Sequence, residues 1–403
     1  MNLTELLTSS STVLDQAIAD RRYLHSYPEI SDHEVATSAW LKERCRECGF
    51  EIVEVEGTGF IAILHGEATE GDTPICIGLR TDIDALPIAE AIYNAGGKKR
   101  SCLSQNLGAM HACGHDAHMA IQLAIARILA GHRQKIAGDI IFIFEQGEET
   151  HSGIDAMIDT LKNYPLTAIY GTHVFTGLPT HTVAITPGAV MSGMTNLHCQ
   201  IKGLGGHSSR PDLARSPIFG AANFLQTLTN AWTNCTHPEK VVTLGIGSIS
   251  GGSPQAYNVI PDKVQIDGTL RFFDLEAGRR ALQLFNRVGE TSCAYNELSY
   301  LPTSDHGETI PPVINDRRQA AKLAELVRDH LELSVLDNYR WYASETFARY
   351  SELCPCLFTL SGCRDEDVGS ISEHHTEDFD IDEAVIADAI SLALCWIYQQ
   401  FNF

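Results

Sequence analysis

Apolar residues fall along this chain in two rhythms, and the change between them marks its parts. Short unbroken apolar runs at Gly59–Leu64, Ile75–Leu79, Ile140–Phe144, Leu166–Tyr170 and Cys356–Leu360 predict strands covered on both faces, as in a largely parallel sheet. Helical patterning lies around them, over residues 12–49, over Ala117–Ala130 with Gly131 closing it, and over Asp382–Gln399. Strands alternating with helices predict an α/β fold. From about residue 190 to 300 the pattern differs. Leu197–Lys202, Val241–Ile249 and Val264–Phe272 alternate apolar with polar residues, around an apolar helix near Ser216–Trp232. That is the signature of an open sheet wet on one face, so a smaller α+β domain is expected inside the first. The expected division is 1–189 with 304–403 for the larger domain and 190–303 for the insert, with crossings near Pro187-Gly188 and Leu301-Pro302.

Size and composition agree with two domains. A chain of 403 residues exceeds what one core ordinarily covers. Hydrophobic content of 44% with a mean hydropathy of -0.07 is that of a globular protein. No apolar run approaches the roughly 18 residues of a membrane span. Met1–Glu5 lacks the basic start of a secretory signal, and 12 cysteines are too sparse for a disulfide framework. A reduced, cytoplasmic setting follows as the expectation. The net charge of -22 argues against nucleic acid and anionic membranes as partners. Cys45-Arg46-Glu47-Cys48 has CxxC spacing but no second pair, and reads as ordinary helix cysteines.

Candidate chemistry is concentrated in His111-Ala112-Cys113-Gly114-His115-Asp116-Ala117-His118. A Cys and a His two apart can bring a thiolate and an imidazole to one metal ion. Further polar groups follow the strands: Arg80-Thr81-Asp82-Ile83-Asp84, Glu145-Gln146-Gly147-Glu148-Glu149, His173 and His374-His375. Each alone reads as a cap or a solvated loop. Together they gather at the carboxyl ends of strands, where open α/β sheets bind ligands. Two divalent cations need about six to eight donor atoms, anions among them. Cys113, His115, Glu149, His173 and His375 supply a thiolate, three imidazoles and a carboxylate. Neighbouring side chains diverge, so one of Glu148 and Glu149 can bind metal while the other acts as general base. Asp84 or Asp82 can orient a ligand imidazole from behind, and Arg80 balances the carboxylates. The thiolate and imidazoles suit Zn2+, and Mn2+ is also admissible.

These segments resemble the metal-dependent amidohydrolases and peptidases that include aminoacylases, glutamate carboxypeptidases, hippurate hydrolases and plant auxin-conjugate (IAA-amino acid) hydrolases. The resemblance rests on Arg80–Pro87 (RTDIDALP), Met110–His118 (MHACGHDAH), Glu148-Glu149, Gly171–His173, Gly203–Pro211 (GLGGHSSRP), Asn258–Pro261 (NVIP), Gly268–Arg271 (GTLR) and His375–Asp382 (HTEDFDID). They run in the family's order over almost the whole chain, and HACGHDAH points to the hippurate and auxin-conjugate branch. The resemblance implies metal-ligand positions at Cys113, His115, Glu149, His173 and His375, the general base at Glu148, and Asp84 behind the site. It implies that His207 reaches the site of a partner subunit, and that Asn258 and Arg271 hold a substrate carboxylate. The insert would then be a lid and dimerisation domain of a homodimer or higher oligomer. The implied reaction is hydrolysis of N-acyl amino acids or similar small amides by a metal-activated water. Alternatives on the same site are a dipeptidase, a carbamoyl-amide hydrolase or an aminobenzoyl-glutamate hydrolase; a catalytically silent binding protein is the alternative of another class. The chain departs from the family at Glu145-Gln146-Gly147, where Gln-Pro-Ala is usual, and at Thr150-His151, where glycines are usual. Ser344-Glu345-Thr346-Phe347 replaces Ser-Glu-Asp-Phe, and Ala91–Gln105 is long and basic. These differences bear on substrate preference, not on the metal chemistry.

Overall fold

Pro28 divides the N-terminal helical pattern. In the computed structural model, which describes residues 2–68, 75–302 and 309–401, the predicted helix over 12–49 is two helices, Leu3–Ser26 and Val35–Glu47. Proline lacks the N–H a helix needs and pushes the residue before it out of the helical region. The intervening loop turns further at Asp32, whose φ is 66°. No helix among the described residues is long and apolar enough to cross a membrane.

The chain divides into two compact units, Met1–Val190 with Ile314–Tyr339 and Arg349–Phe403, and Met191–Val313 with Arg340–Ala348. A boundary drawn at 303–304 lies outside the described residues. The first unit is an α/β structure around a mixed eight-stranded sheet. Its order is Glu51–Glu54, Phe60–His65, Gly138–Glu145, Ile75–Asp82, Ala168–Pro179, Cys356–Arg364, Thr182–Ala184 and Ser334–Leu336. The four central strands run parallel, and Phe60–His65 on one side and Thr182–Ala184 on the other pair antiparallel with them. Unbroken apolar runs such as Ile140–Phe144 are buried along their length, as strands covered on both faces require. Helices Leu3–Ser26, His115–Gly131 and Val385–Phe401 share one core with this sheet, in which Leu24, Ile121, Phe142 and Trp396 are buried.

One strand corrects the sequence reading. The run expected at Leu166–Tyr170 extends over Ala168–Pro179, so His173 lies within a strand and not in the loop after it. Pairing with Cys356–Arg364 carries the strand through polar residues, Thr359 opposite Thr172 and Leu360 opposite His173. Cross-strand pairing thus overrides the local pattern.

The second unit holds a four-stranded antiparallel sheet, ordered Val242–Ser250, Lys263–Phe272, Gly193–Lys202 and Ser299–Pro302. Helices Pro217–Cys235 and Leu275–Tyr295 pack on it through Phe224, Leu228, Phe285 and Val288. Alternate residues of Gly193–Lys202 are buried, as the alternating pattern predicts.

Candidate metal centre

The first unit brings all five ligand-type residues to one place. The strand Ile75–Asp82 delivers Asp82, with Asp84 just beyond it; Gly138–Glu145 leads into the Glu148-Glu149 turn; Ala168–Pro179 carries His173. Helix His115–Gly131 starts at Gly114, whose φ of 88° is a left-handed conformation. A Cβ there would meet Val174 Cγ2 at 2.3 Å, so only glycine fits this turn between Cys113 and His115.

Cys113 Sγ lies 3.4 Å from His173 Nε2 and 3.3 Å from His375 Nε2. His375 Nε2 is 3.2 Å and His115 Nε2 is 3.9 Å from the same oxygen, Glu149 Oε1. Potential ligand atoms of Cys113, His115 and His173 lie within 4.8 Å of one another, as do those of Cys113, Glu149 and His375, and of His115, Glu148 and Glu149. Each set is compact enough to surround a cation.

The local chemistry fits a cation as well. His115 Nδ1 is 2.9 Å from Asp84 O and 3.2 Å from Asp84 Oδ1, so that nitrogen carries the proton and donates. Asp84 also accepts the Glu149 N–H at 3.0 Å and the Ser31 hydroxyl at 2.7 Å. His115 Nε2 is then the ring nitrogen turned inward. It and Glu149 Oε1 are buried atoms without a hydrogen-bond partner among the described residues. Buried polar atoms are costly when unmet, and a shared cation, displacing the proton on Nε2, is what would meet these. Burial alone would lower the His115 pKa; the carboxylates of Asp82, Asp84 and Glu149 overcome it and raise it to about 10. The cluster therefore favours positive charge. His173 is the opposite case: burial and the neighbouring His118 and His374 hold its pKa well below the usual value, leaving a neutral imidazole. Its Nδ1 lies 2.6 Å from Val174 O, which fixes the proton there and turns Nε2 toward Cys113.

Asp82, His115 and His118 form a further buried group of ligand-type atoms. Both nitrogens of His118 are engaged, however, with Asp82 Oδ1 at 2.8 Å and the Val174 N–H at 2.9 Å. Asp84 thus stands behind His115, and Asp82 behind His118. His111, in the same motif, is buried with neither ring nitrogen hydrogen-bonded among the described residues, and burial lowers its pKa to about 4. Arg80 balances two carboxylates, reaching Asp82 at 2.9 Å and Glu145 at 2.7 Å.

Three predicted site residues lie in the second unit. His207 is exposed on a two-residue strand that pairs with Val259-Ile260, which puts it beside Asn258; its Nδ1 accepts the Ser209 N–H at 3.1 Å. Asn258 is exposed and accepts the Ser208 N–H through its carbonyl at 3.0 Å. Arg271 stands on the separate strand Lys263–Phe272 and donates to Ser344 Oγ at 2.9 Å. The role of Ser344 was not read from sequence, nor was that of Ser31 behind Asp84. A buried Glu34, which accepts the Gly147 N–H at 2.9 Å, was also missed. Each meets its partner from at least 53 residues away in sequence, and no local pattern reports such contacts.

Known proteins resemble this chain in sequence and in fold. The family profile described as Peptidase family M20/M25/M40 matches residues 78–398. An N-acetyl-L-cysteine deacetylase of Bacillus subtilis is 34% identical, with 94% of this chain and 86% of the relative covered. An IAA-amino acid hydrolase of Arabidopsis thaliana, ILR1-like 2, is 31% identical, covering 92% of this chain and 82% of the relative. Among solved structures, the Bacillus subtilis YXEP protein, described as a dinuclear metal binding peptidase, superposes with a TM-score of 0.80 at 27% identity, covering 97% of this chain and 99% of that one.

Proposed function

The chain belongs to peptidase family M20/M25/M40, and from that premise we propose that it is a metal-dependent hydrolase of N-acyl amino acids and related small amide conjugates. The observation that carries this reading is the Cys113, His115, Glu149, His173 and His375 cluster with Glu148 beside it. Those five residues would hold two divalent ions, Zn2+ or Mn2+. Bound there, the ions would polarise the amide carbonyl and make water more acidic.

The chain's own residues supply the rest. Glu148 takes a proton from the attacking water as its oxygen bonds to the carbonyl carbon. It returns that proton to the amide nitrogen as the carbon–nitrogen bond breaks, releasing a carboxylic acid and an amine. Asp84 keeps the proton of His115 on Nδ1. Arg271, with Asn258, is the proposed anchor for the free carboxylate of the amino-acid half, because a guanidinium matches a carboxylate in two-point geometry. The proposed working form is a cytoplasmic homodimer in which His207 completes the neighbour's site. Its support is that Val242–Ser250 is an edge strand whose one strand partner among the described residues is Lys263–Phe272, and a free edge is a ready surface for a second chain.

The test is to assay the purified protein on N-acetyl, N-benzoyl and indole-acetyl amino acids, dipeptides, carbamoyl amino acids and aminobenzoyl-glutamate, before and after chelation. Hydrolysis of the N-acyl amino acids that chelator abolishes and Zn2+ or Mn2+ restores is the expected result. A preference for dipeptides or carbamoyl amides would move the substrate class while keeping the chemistry. Full activity in metal-free protein would rule the mechanism out.

A further inference from the structure

His118 closes the motif that supplies Cys113 and His115, yet it has no place in the proposed ligand set. Its surroundings specify its state. Val174 donates its N–H to His118 Nε2 at 2.9 Å, so Nε2 carries a lone pair and the ring proton resides on Nδ1. Nδ1 faces Asp82 Oδ1 at 2.8 Å and donates to it. The second oxygen of Asp82 accepts from Arg80 Nη1 at 2.9 Å. Arg80 Nε is held in turn by Glu145 Oε2 at 2.7 Å, and the Tyr350 hydroxyl donates to that same oxygen at 2.8 Å. All of these residues are buried, so none turns freely to release the next.

The backbone explains what this relay does. The strand Ile75–Asp82 pairs with Ala168–Pro179 only from Ile77 opposite Ala168 to Arg80 opposite Gly171. On that side the ladder stops before the strand reaches His173. The side chain of His118 extends the cross-link beyond it, tying Val174 to Asp82, the last residue of the neighbouring strand. The carbonyl of the same Val174 orients the His173 ring at 2.6 Å. Val174 also packs against Gly114, where even a Cβ would come within 2.3 Å of it. One residue thus sets the ring of His173 and abuts the turn that carries Cys113 and His115.

We propose that His118 is a positioning residue for the metal centre, locked by Asp82 so that its Nε2 holds Val174 and aims His173 at Cys113 and His115. This rests on the metal reading above. His118 is a structural bridge in place of a ligand, and the ion it serves is the one shared by Cys113, His115 and His173.

Two measurements test it. In metal-free protein labelled with 15N-histidine, two-bond 1H–15N spectra should show His118 as the Nδ1–H tautomer, unchanged when Zn2+ is added. Titration with Zn2+ against a competing chelator should show His118→Leu binding one of its two ions about 10–100-fold more weakly, the usual effect of removing a group that supports a ligand. The other ion should bind as in wild type. His118→Gln, whose amide can donate to Asp82 and accept from Val174, should recover most of the loss. An Nε2–H tautomer, a coordination shift at His118 on adding Zn2+, or wild-type binding of both ions by His118→Leu would each overturn the proposal. Should the leucine variant not fold, the wild-type spectrum alone decides. Failure of the underlying metal reading is recognised separately, because wild-type protein would then take up no Zn2+ at all.

Discussion

His375 donates its backbone N–H to Ala112 O at 2.9 Å while its own φ stands at 64°. The left-handed conformation costs an L-residue on the order of 1–2 kcal/mol, and strain of this kind persists at sites where a side chain is needed. Here the strained turn docks the His375 loop against the residue before Cys113 and brings Nε2 within 3.3 Å of its sulfur. In metal-free protein, His375→Gly should therefore be as stable as wild type or gain up to about 1 kcal/mol in urea unfolding. In the presence of metal the same variant should lose turnover and bind one ion fewer. A clear loss of metal-free stability would show that the side chain, and not the ion, justifies the turn.

Glu148 and Glu149 can be separated by one substitution. Glu149 Oε1 faces two imidazoles, while Glu148 lies in the group of His115 and Glu149. Glu148→Gln should keep near wild-type metal content by elemental analysis and lower kcat by roughly two to four orders of magnitude, the usual share of general acid–base catalysis. Loss of metal from this variant with rate retained in added metal would exchange the two roles.

The candidate ligands were legible in the sequence because four apolar runs read as strands are each followed, directly or after a loop, by Asp, Glu or His, and because Cys113 and His115 share one short motif. That argument needs only chain direction and the position of each run. The division of labour among neighbours was not legible. Asp82 and Asp84 are two apart, both buried, and serve different histidines, a choice made by His115 and His118 from more than 30 residues away. The break at Pro28 was readable from local chemistry alone. The extension of the His173 strand was not, because Thr172 and His173 are drawn into it by Thr359 and Leu360 across the sheet. Helix Leu275–Tyr295 shows a third case. Leu284, Phe285 and Val288 give it a buried stripe, so its pattern was present although no helix was read there.

Acid should weaken the fold at the junction of the first and last helices. Arg21 and Arg22 reach Glu383 Oε1 at 3.2 Å and 2.9 Å. Burial disfavours the Glu383 carboxylate, but the bond from Arg22 and the charge of Arg21 outweigh it, so its pKa lies below the ordinary 4.5. A carboxylate with a depressed pKa stabilises the fold above its unfolded value, and that contribution is lost as pH falls through the lower folded one. The Tm of metal-free protein should therefore drop as pH is lowered below about 4.5. Glu383→Gln should cost about 1.5–3 kcal/mol near neutral pH, the worth of hydrogen bonds to a charged group, and should flatten the acid limb. An unchanged acid limb in that variant would assign the effect to other carboxylates.

Arg271 and His207 offer the sharpest division between substrate binding and assembly. Arg271 is half-buried and spends one nitrogen on Ser344 at 2.9 Å, while burial lowers its pKa. A guanidinium kept partly from water binds a carboxylate more strongly than one on the open surface, where an ion pair is worth little. Arg271→Ala should raise KM for substrates with a free carboxylate about 10–100-fold, matching the loss of roughly 1.5–3 kcal/mol for a charged hydrogen bond. Amidated analogues should be spared, and an equal loss on both would make Arg271 a structural residue. His207 is exposed, and the ring bonds it shows among the described residues run from its Nδ1 to Ser209 of its own turn, so its ring is available to another molecule. If it serves a partner, inactive His207→Ala and inactive Glu148→Gln proteins mixed under subunit exchange should regain activity. A mixed dimer would then contain one site with both groups intact, and at random pairing half of all dimers are mixed, so about a quarter of the sites would recover. Exchange confirmed by mass with no return of activity would mean that each chain builds its site alone.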